Sequence, residues 1–114
     1  MEQTKSMEEV RLLLEGNLQN WEVREDQLYR RYDTANWRVT LMIANAIGFL
    51  AEAAYHHPRL ILNYRSVEVF LTTHDAGGLT QKDFDLAKMI EETILWPRRE
   101  AGTPGRRPKE WLSE

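Results

Sequence analysis

The chain has 114 residues, which is enough for one small domain but not for two. Fifteen Lys and Arg against eighteen Asp and Glu give a formal net charge of −3, which does not favour direct binding of nucleic acid. There is no cysteine, which excludes disulfides, thiol nucleophiles and cysteine-ligated zinc and suits a reducing compartment. No apolar run is long enough to span a membrane and no signal-peptide pattern is present, so we expect a cytoplasmic protein.

The amino-terminal third predicts a helix followed by a β-hairpin. Ser6 and Glu9 have the spacing of a capping box, which predicts that a helix begins here. Residues 21–23 and 28–32 are apolar and aromatic and flank the charged segment 24–27, which predicts two antiparallel strands joined by a short turn. The residues that we expect on the buried face of the first helix are Val10, Leu13 and Leu14.

A long second helix follows the hairpin. Either Thr34 or Asn36 can cap its start, and it is expected to run to about Ala54, ahead of the helix-breaking Pro58. Its apolar residues form a broad stripe that suits packing on a sheet: Leu41, Ile43, Ala44, Ile47, Leu50, Ala51 and Ala54.

The second half repeats the order of hairpin and helix. Residues 60–64 and 67–71 predict a second antiparallel pair around Arg65-Ser66, and Thr80 can cap a third helix over about Gln81 to Leu95. The complete order predicts an α+β fold, with one four-stranded antiparallel sheet and helices packed on one face. The inward residues of the third helix are expected to be Phe84, Ala87, Ile90 and Ile94.

The composition changes near residue 97. Prolines, glycines and paired arginines predict a flexible tail over residues 97–114, so that residues 1–96 form the domain. Within the tail, only Trp111-Leu112 is apolar enough to anchor it, and its basic residues offer a site for a protein partner.

All three histidines belong to one ordered pattern that includes two acidic residues. Imidazole has an ordinary pKa near ~6.5, so histidines are the side chains best suited to give and take protons near neutral pH. Glu52 and His56 are four residues apart, and we expect the carboxylate to orient the imidazole across one helical turn. The full pattern is Glu52-x3-His56-His57-Pro58-x5-Tyr64-x9-His74-x8-Asp83.

This pattern resembles the signature of the pterin-4a-carbinolamine dehydratases, and the resemblance covers roughly residues 21–94. It implies the same α+β layout and dehydration of 4a-hydroxytetrahydropterin to quinonoid dihydropterin, in tetrahydrobiopterin recycling. It also implies that the pterin is the substrate and that no cofactor is needed. The reaction needs one proton delivered to the leaving hydroxyl and one withdrawn from the neighbouring ring nitrogen, which two histidines can supply.

The resemblance also implies roles for individual residues. His56 and His74 match the proton-transfer groups, with Glu52 as a supporting catalytic residue. Asp83 matches the acidic end of the pattern, and it either supports the site or caps the third helix. The positions that match pterin contacts are Tyr55, His57, Pro58, Thr72, Thr73 and Asp75.

Two features depart from the family pattern, and two other interpretations compete with the enzyme. Arg59 and Leu60 stand where many members have an acidic residue and an aromatic residue, so we expect a differently built pterin site. A zinc site of Glu52, His56 and His74 is one alternative, but the spacing is not that of a zinc enzyme and we expect no metal. The other is a non-enzymatic assembly or partner protein on the same fold, similar to Rubisco assembly factors or to the transcription-factor dimerisation cofactor.

We also expect a homo-oligomer, because a small sheet with one covered face leaves backbone groups for a second copy to pair. The segment from Val67 to Thr73 is the expected free edge. The resemblance implies dimers that are often paired into tetramers.

Overall fold

The computed structural model describes residues 3–99 and Leu112. Its strands form one antiparallel sheet in the order β1-β2-β4-β3. The predicted α+β class, with four strands and three helices, is therefore confirmed. The elements are α1 Met7–Asn17, β1 Glu22–Arg24, β2 Gln27–Asp33, α2 Trp37–Ala54, β3 Arg59–Asn63, β4 Ser66–Leu71, a 3-10 turn His74–Ala76 and α3 Gln81–Arg99.

Local sequence signals set the starts of the first two helices. The Ser6 amide donates to Glu9 Oε1 at 2.8 Å and the Glu9 amide donates to Ser6 Oγ at 3.1 Å, so the predicted capping box is confirmed. At α2 the cap is Asn36, whose Oδ1 accepts from the Val39 amide at 3.0 Å. These bonds satisfy amides that have no partner within the helix, which is why each helix begins where it does.

The core lies between the helices and one face of the sheet. In β4 the alternation predicted from the sequence is confirmed, because Val67, Val69 and Leu71 are fully buried. They face the helices together with Leu28 and Tyr32 of β2, which pair with Leu71 and Val67. The helix residues in the same cluster are Val10 of α1, Val39, Ile43, Ile47 and Ala51 of α2, and Phe84, Leu86, Ala87, Ile90 and Ile94 of α3.

A buried ionic network fixes α3 on the sheet. The Glu91 carboxylate accepts from Trp21 Nε1 at 2.9 Å, from Tyr32 Oη at 2.7 Å and from Arg30 Nε at 3.0 Å. The Arg30 and Glu91 side chains are 4% and 11% exposed, so this ion pair is shielded from solvent. Removing one partner would leave a buried charge uncompensated, which makes the network a strong constraint on how α3 packs against β2.

Three sequence predictions about the elements need correction. The stripe on α2 is narrower than expected, because Leu41 and Ala54 are exposed. The helix end predicted near Leu95 is wrong, since α3 continues to Arg99. Pro97 lies in the last turn, where its missing amide removes one bond near the helix end and not in its interior.

The third correction concerns the sheet edge. The segment beginning at Val67 was expected at the edge, but β4 pairs with both β2 and β3 and is therefore central. The strands at the edges are β1 and β3. Oligomerisation remains a prediction, and any pairing through the sheet has to use one of those two strands.

Most of the predicted tail over residues 97–114 lies outside the described residues. Apart from the last turn of α3, the described part is Leu112, which forms an antiparallel bridge with Thr34 and packs against the core. None of the helices in the described ranges is long and apolar enough to cross a membrane.

Candidate active site

The end of α2 determines where the first two histidines lie. The helix stops at Ala54, and Tyr55 adopts the left-handed conformation with φ 52° and ψ 46°. The Tyr55 amide donates to Glu52 O at 3.1 Å and the His56 amide donates to Ala51 O at 3.0 Å. Such bonds satisfy the last helical carbonyls and turn the chain away from the helix axis. His56 and His57 therefore follow the helix and are not part of it.

His56 is held by the buried carboxylate of Asp83. Its Nε2 atom lies 2.6 Å from Asp83 Oδ1, and the two side chains are 13% and 0% exposed. On its other oxygen, Asp83 accepts from the Thr80 amide at 2.9 Å and from the Thr73 hydroxyl at 2.8 Å. Asp83 thus contacts the start of α3 and orients His56 at the same time, so the two roles considered from the sequence are combined.

The sequence predicted the wrong partner for His56. Glu52 Oε1 lies 2.9 Å from Nε2 of His57, not of His56, and both partners of this pair are largely exposed. The spacing of four residues brings side chains together only within a continuous helix, and α2 ends before His56. A catalytic role for Glu52 is therefore still a prediction, and any such role would act through His57.

His74 reaches the same region from the end of β4. It opens the 3-10 turn His74–Ala76, and the Gly77 amide donates to His74 O at 3.0 Å. Gly77 has φ 79°, a conformation that residues with a Cβ rarely adopt, which accounts for glycine at this turn. The ring of His74 is exposed, as expected for a side chain that is to meet a ligand.

The end of α2, the segment that follows β4 and the start of α3 line one open cavity of about 320 Å³. Lys82 lines it and was missed in the sequence, although its place beside Asp83 in the first turn of α3 was a usable signal. The predicted site residue Pro58 does not line the cavity, and neither do Tyr64 of the sequence pattern and Leu60, which packs against the core. The lining residues are Tyr55, His56, His57, Thr72, Thr73, His74, Asp75 and Lys82.

The cavity does not present a ready set of metal ligands. Within residues 3–99 and Leu112, no three His, Cys, Asp or Glu side chains are grouped closely enough to hold a metal ion. The zinc interpretation required Glu52, His56 and His74 to converge, whereas Glu52 contacts His57 and His56 contacts Asp83.

The fold and the cavity define a small α+β domain with a histidine-lined site, and comparison with known proteins identifies its family. Residues 3–93 match the sequence model of the family described as "Pterin 4 alpha carbinolamine dehydratase". The chain belongs to this family.

Individual relatives agree with this assignment. A protein of Aquifex aeolicus named "Putative pterin-4-alpha-carbinolamine dehydratase" is 47% identical over 89 residues, which cover 78% of this chain and 89% of the relative. A protein of Natronomonas pharaonis with the same name is 46% identical over 72 residues, 63% of this chain and 78% of the relative. The crystal structure of a transcriptional coactivator/pterin dehydratase from Brucella melitensis is similar in fold, with a TM-score of 0.72 at 22% identity over 77% of this chain and 95% of that one.

Proposed function

We propose that this protein dehydrates 4a-hydroxytetrahydropterin to quinonoid dihydropterin by histidine general acid–base catalysis. Family membership and the names of the relatives support a pterin carbinolamine dehydratase in general. The observation that carries the histidine mechanism is that His56 and His74 open onto one cavity while a buried carboxylate holds His56.

The two histidines differ in a way that suggests separate roles. Asp83 Oδ1 lies 2.6 Å from Nε2 of His56 and fixes this ring at the cavity, so His56 is suited to withdraw the proton from the ring nitrogen. His74 is exposed beside Lys82 and Asp75 and is suited to deliver a proton to the leaving hydroxyl. The C4a–O bond then breaks, water leaves, and the electron pair freed on the nitrogen forms the new C=N bond.

The remaining cavity residues would bind the pterin. Tyr55 and His57 form an edge-to-face pair with ring centroids 5.5 Å apart, which supplies an aromatic wall for a planar heterocycle. This wall would serve in place of the aromatic residue that Leu60 replaces. His57 is held in turn by Glu52, so this pair is expected to contribute to pterin affinity more than to proton transfer.

Tetrahydrobiopterin recycling, a cytoplasmic location and a homo-oligomer of two or four chains belong to the same proposal. The absence of cysteine suits a reducing compartment. A small domain with open sheet edges also gains from association with further copies.

Rapid-mixing spectroscopy on the purified full-length chain tests the proposal. The carbinolamine is generated in the mixing cell, and its conversion to quinonoid dihydropterin is followed with and without protein, before and after chelator treatment. We expect a faster conversion that survives the chelator. A folded protein that does not accelerate the step would instead favour the assembly or partner role, whereas activity that is lost and returns only with zinc would contradict the metal-free mechanism.

A further inference from the structure

The hydrogen bonds that hold His56 extend beyond Asp83 to the hydroxyl groups of two buried threonines. Thr73 and Thr80 are 6% and 1% exposed, and their hydroxyl oxygens lie 2.8 Å apart. The Thr73 hydroxyl also lies 2.8 Å from Asp83 Oδ2, and the Lys82 amide lies 3.3 Å from Thr80 Oγ1. These groups form one continuous chain that begins at the first turn of α3 and ends at His56.

The direction of each hydrogen bond follows from counting protons. A carboxylate oxygen only accepts, so the Thr73 hydroxyl gives its single proton to Asp83 Oδ2. Thr73 then has no proton for the bond to Thr80, and that bond has to use the proton of Thr80. Thr80 Oγ1 accepts from the Lys82 amide, which can only donate. Every bond in the chain therefore points toward Asp83.

The direction of these hydrogen bonds determines which oxygen of Asp83 is available to His56. Asp83 Oδ2 already accepts from Thr73 and from the Thr80 amide, which uses its two lone pairs. Oδ1 is left for His56, and as a carboxylate oxygen it accepts the Nε2–H proton across 2.6 Å. A neutral imidazole carries one ring proton, so its Nδ1 atom is then the unprotonated nitrogen.

We propose that Thr73 and Thr80 are positioning residues that hold the Asp83 carboxylate against the Nε2–H tautomer of His56, so that Nδ1 is the proton-accepting atom of this ring. The tautomer follows from the geometry of the chain alone, while the use of Nδ1 in dehydration rests on the proposed function. The sequence predicted Thr73 as a pterin contact, whereas its hydroxyl is engaged with Asp83 and Thr80.

Nitrogen-15 NMR of the labelled full-length chain tests the tautomer directly. The sequence has three histidines, so substituting His57 and His74 by Gln in turn assigns the ring nitrogens of His56. At a pH where the ring is neutral, we expect a protonated Nε2 and an unprotonated Nδ1. A parent protein with the proton on Nδ1 would overturn the proposal without any mutant.

Thr73→Val then tests the chain, because valine has a similar shape and no hydroxyl. We expect a weaker hydrogen bond from His56 Nε2 to Asp83, seen as a changed Nε2 chemical shift, and a kcat lowered about tenfold with little change in KM, the factor that corresponds to ~1.4 kcal/mol for a lost hydrogen bond. Thr73→Ser restores the hydroxyl and should restore both readouts. An Nε2 chemical shift in Thr73→Val identical to that of the parent would overturn the role of the threonines.

The matched control is Thr40→Val. Thr40 is fully buried, and its hydroxyl lies 2.6 Å from that of Thr34, in a threonine pair at the start of α2. This variant should lose stability and leave the His56 spectrum and kcat unchanged. A shift in the His56 spectrum of Thr40→Val equal to that of Thr73→Val would overturn the proposal. If the parent has the expected tautomer but does not dehydrate the pterin, the proposed function fails while the inference on the tautomer is supported.

Discussion

Nε2 of His56 lies 2.6 Å from Oδ1 of Asp83, although the two residues are 27 positions apart and Asp83 is fully buried. The pair joins the end of α2 to the first turn of α3. Asp83 therefore has two functions. It accepts a hydrogen bond from a free amide at the start of α3, and it holds a histidine that lines the cavity.

Asp83→Asn should lower kcat by about tenfold or more with a smaller change in KM, because an amide group presents both a donor and an acceptor and no longer fixes the orientation of the His56 ring in one way. Steady-state kinetics with a thermal melt checks this. The control is Asp85→Asn, which alters an exposed carboxylate that accepts from Gln81 Nε2 at 2.9 Å and should leave kcat unchanged. Equal kcat in the parent and Asp83→Asn would remove His56 from the proposed proton transfer.

Glu52→Gln should raise KM by about threefold or less and leave the melting temperature nearly unchanged. The Glu52–His57 pair is exposed, with side chains 76% and 54% accessible, and such pairs contribute ~0–1 kcal/mol. KM and kcat measured side by side check the prediction. A loss confined to kcat would show that Glu52 acts in the chemical step after all.

Tyr55→Asn should raise KM about threefold to tenfold while leaving the melting temperature equal or higher. An aromatic contact is worth ~0.5–1.5 kcal/mol, and asparagine tolerates the left-handed backbone of position 55 better than tyrosine does. Tyr64→Asn is the control, because Tyr64 is 66% exposed on the β3–β4 turn and does not line the cavity. An unchanged KM in Tyr55→Asn would exclude Tyr55 from the pterin site.

The protein should lose stability above about pH 10. Burial, with the neighbouring Glu91 carboxylate, raises the pKa of the Tyr32 phenol far above its ordinary value of ~10. Stability is therefore fully present below the unfolded-state pKa and is lost above it, by ~1.4 kcal/mol per pH unit. Denaturant melts between pH 8 and pH 11 measure this slope.

Tyr32→Phe should flatten the alkaline slope while lowering the stability near pH 8, since it removes the hydrogen bond to Glu91. Tyr29 is still present in this variant. Burial also raises the pKa of Tyr29, so a smaller alkaline slope of stability should remain. The exposed Tyr64→Phe serves as control and should keep the parent slope. An identical slope in Tyr32→Phe would mean that Tyr32 is not the residue responsible.

Deleting residues 100–114 should lower the melting temperature by about 4 °C or more, although the sequence alone predicted a flexible tail. Leu112 packs against the core and bridges Thr34, and ~1 kcal/mol corresponds to roughly 4–8 °C in a domain of this size. Leu112→Ala should reproduce much of the loss, whereas Leu12→Ala on the exposed side of α1 should not. An unchanged melt for the deletion would contradict an anchoring role for Leu112.

The sequence predicted local features well because their causes are local. The Ser6–Glu9 capping box, the Asn36 cap and the alternation in β4 each depend on residues a few positions apart. The strand order was not predictable in this way, since pairing of β2 with β4 depends on how the two hairpins meet. The partner of His56 was missed for a similar reason, because a left-handed Tyr55 breaks the helical spacing on which the Glu52 prediction relied.

The gathering of the histidines around one cavity followed from the ordered pattern, but the contribution of α3 did not. The sequence did not predict Lys82 as a cavity residue, because a lysine beside a helix cap is usually solvated. Thr73 was expected to face the pterin, and its buried hydroxyl becomes visible only when β4 and α3 are brought together.

The most direct test of the central claim is a rapid-mixing comparison of the parent with His56→Ala, His74→Ala and the double variant. Proton transfer by both rings predicts that each single substitution lowers the rate of 4a-hydroxytetrahydropterin dehydration by about tenfold or more, while circular dichroism shows a retained fold. His74→Ala turning over at the parent rate, or a parent no faster than buffer, would contradict the account.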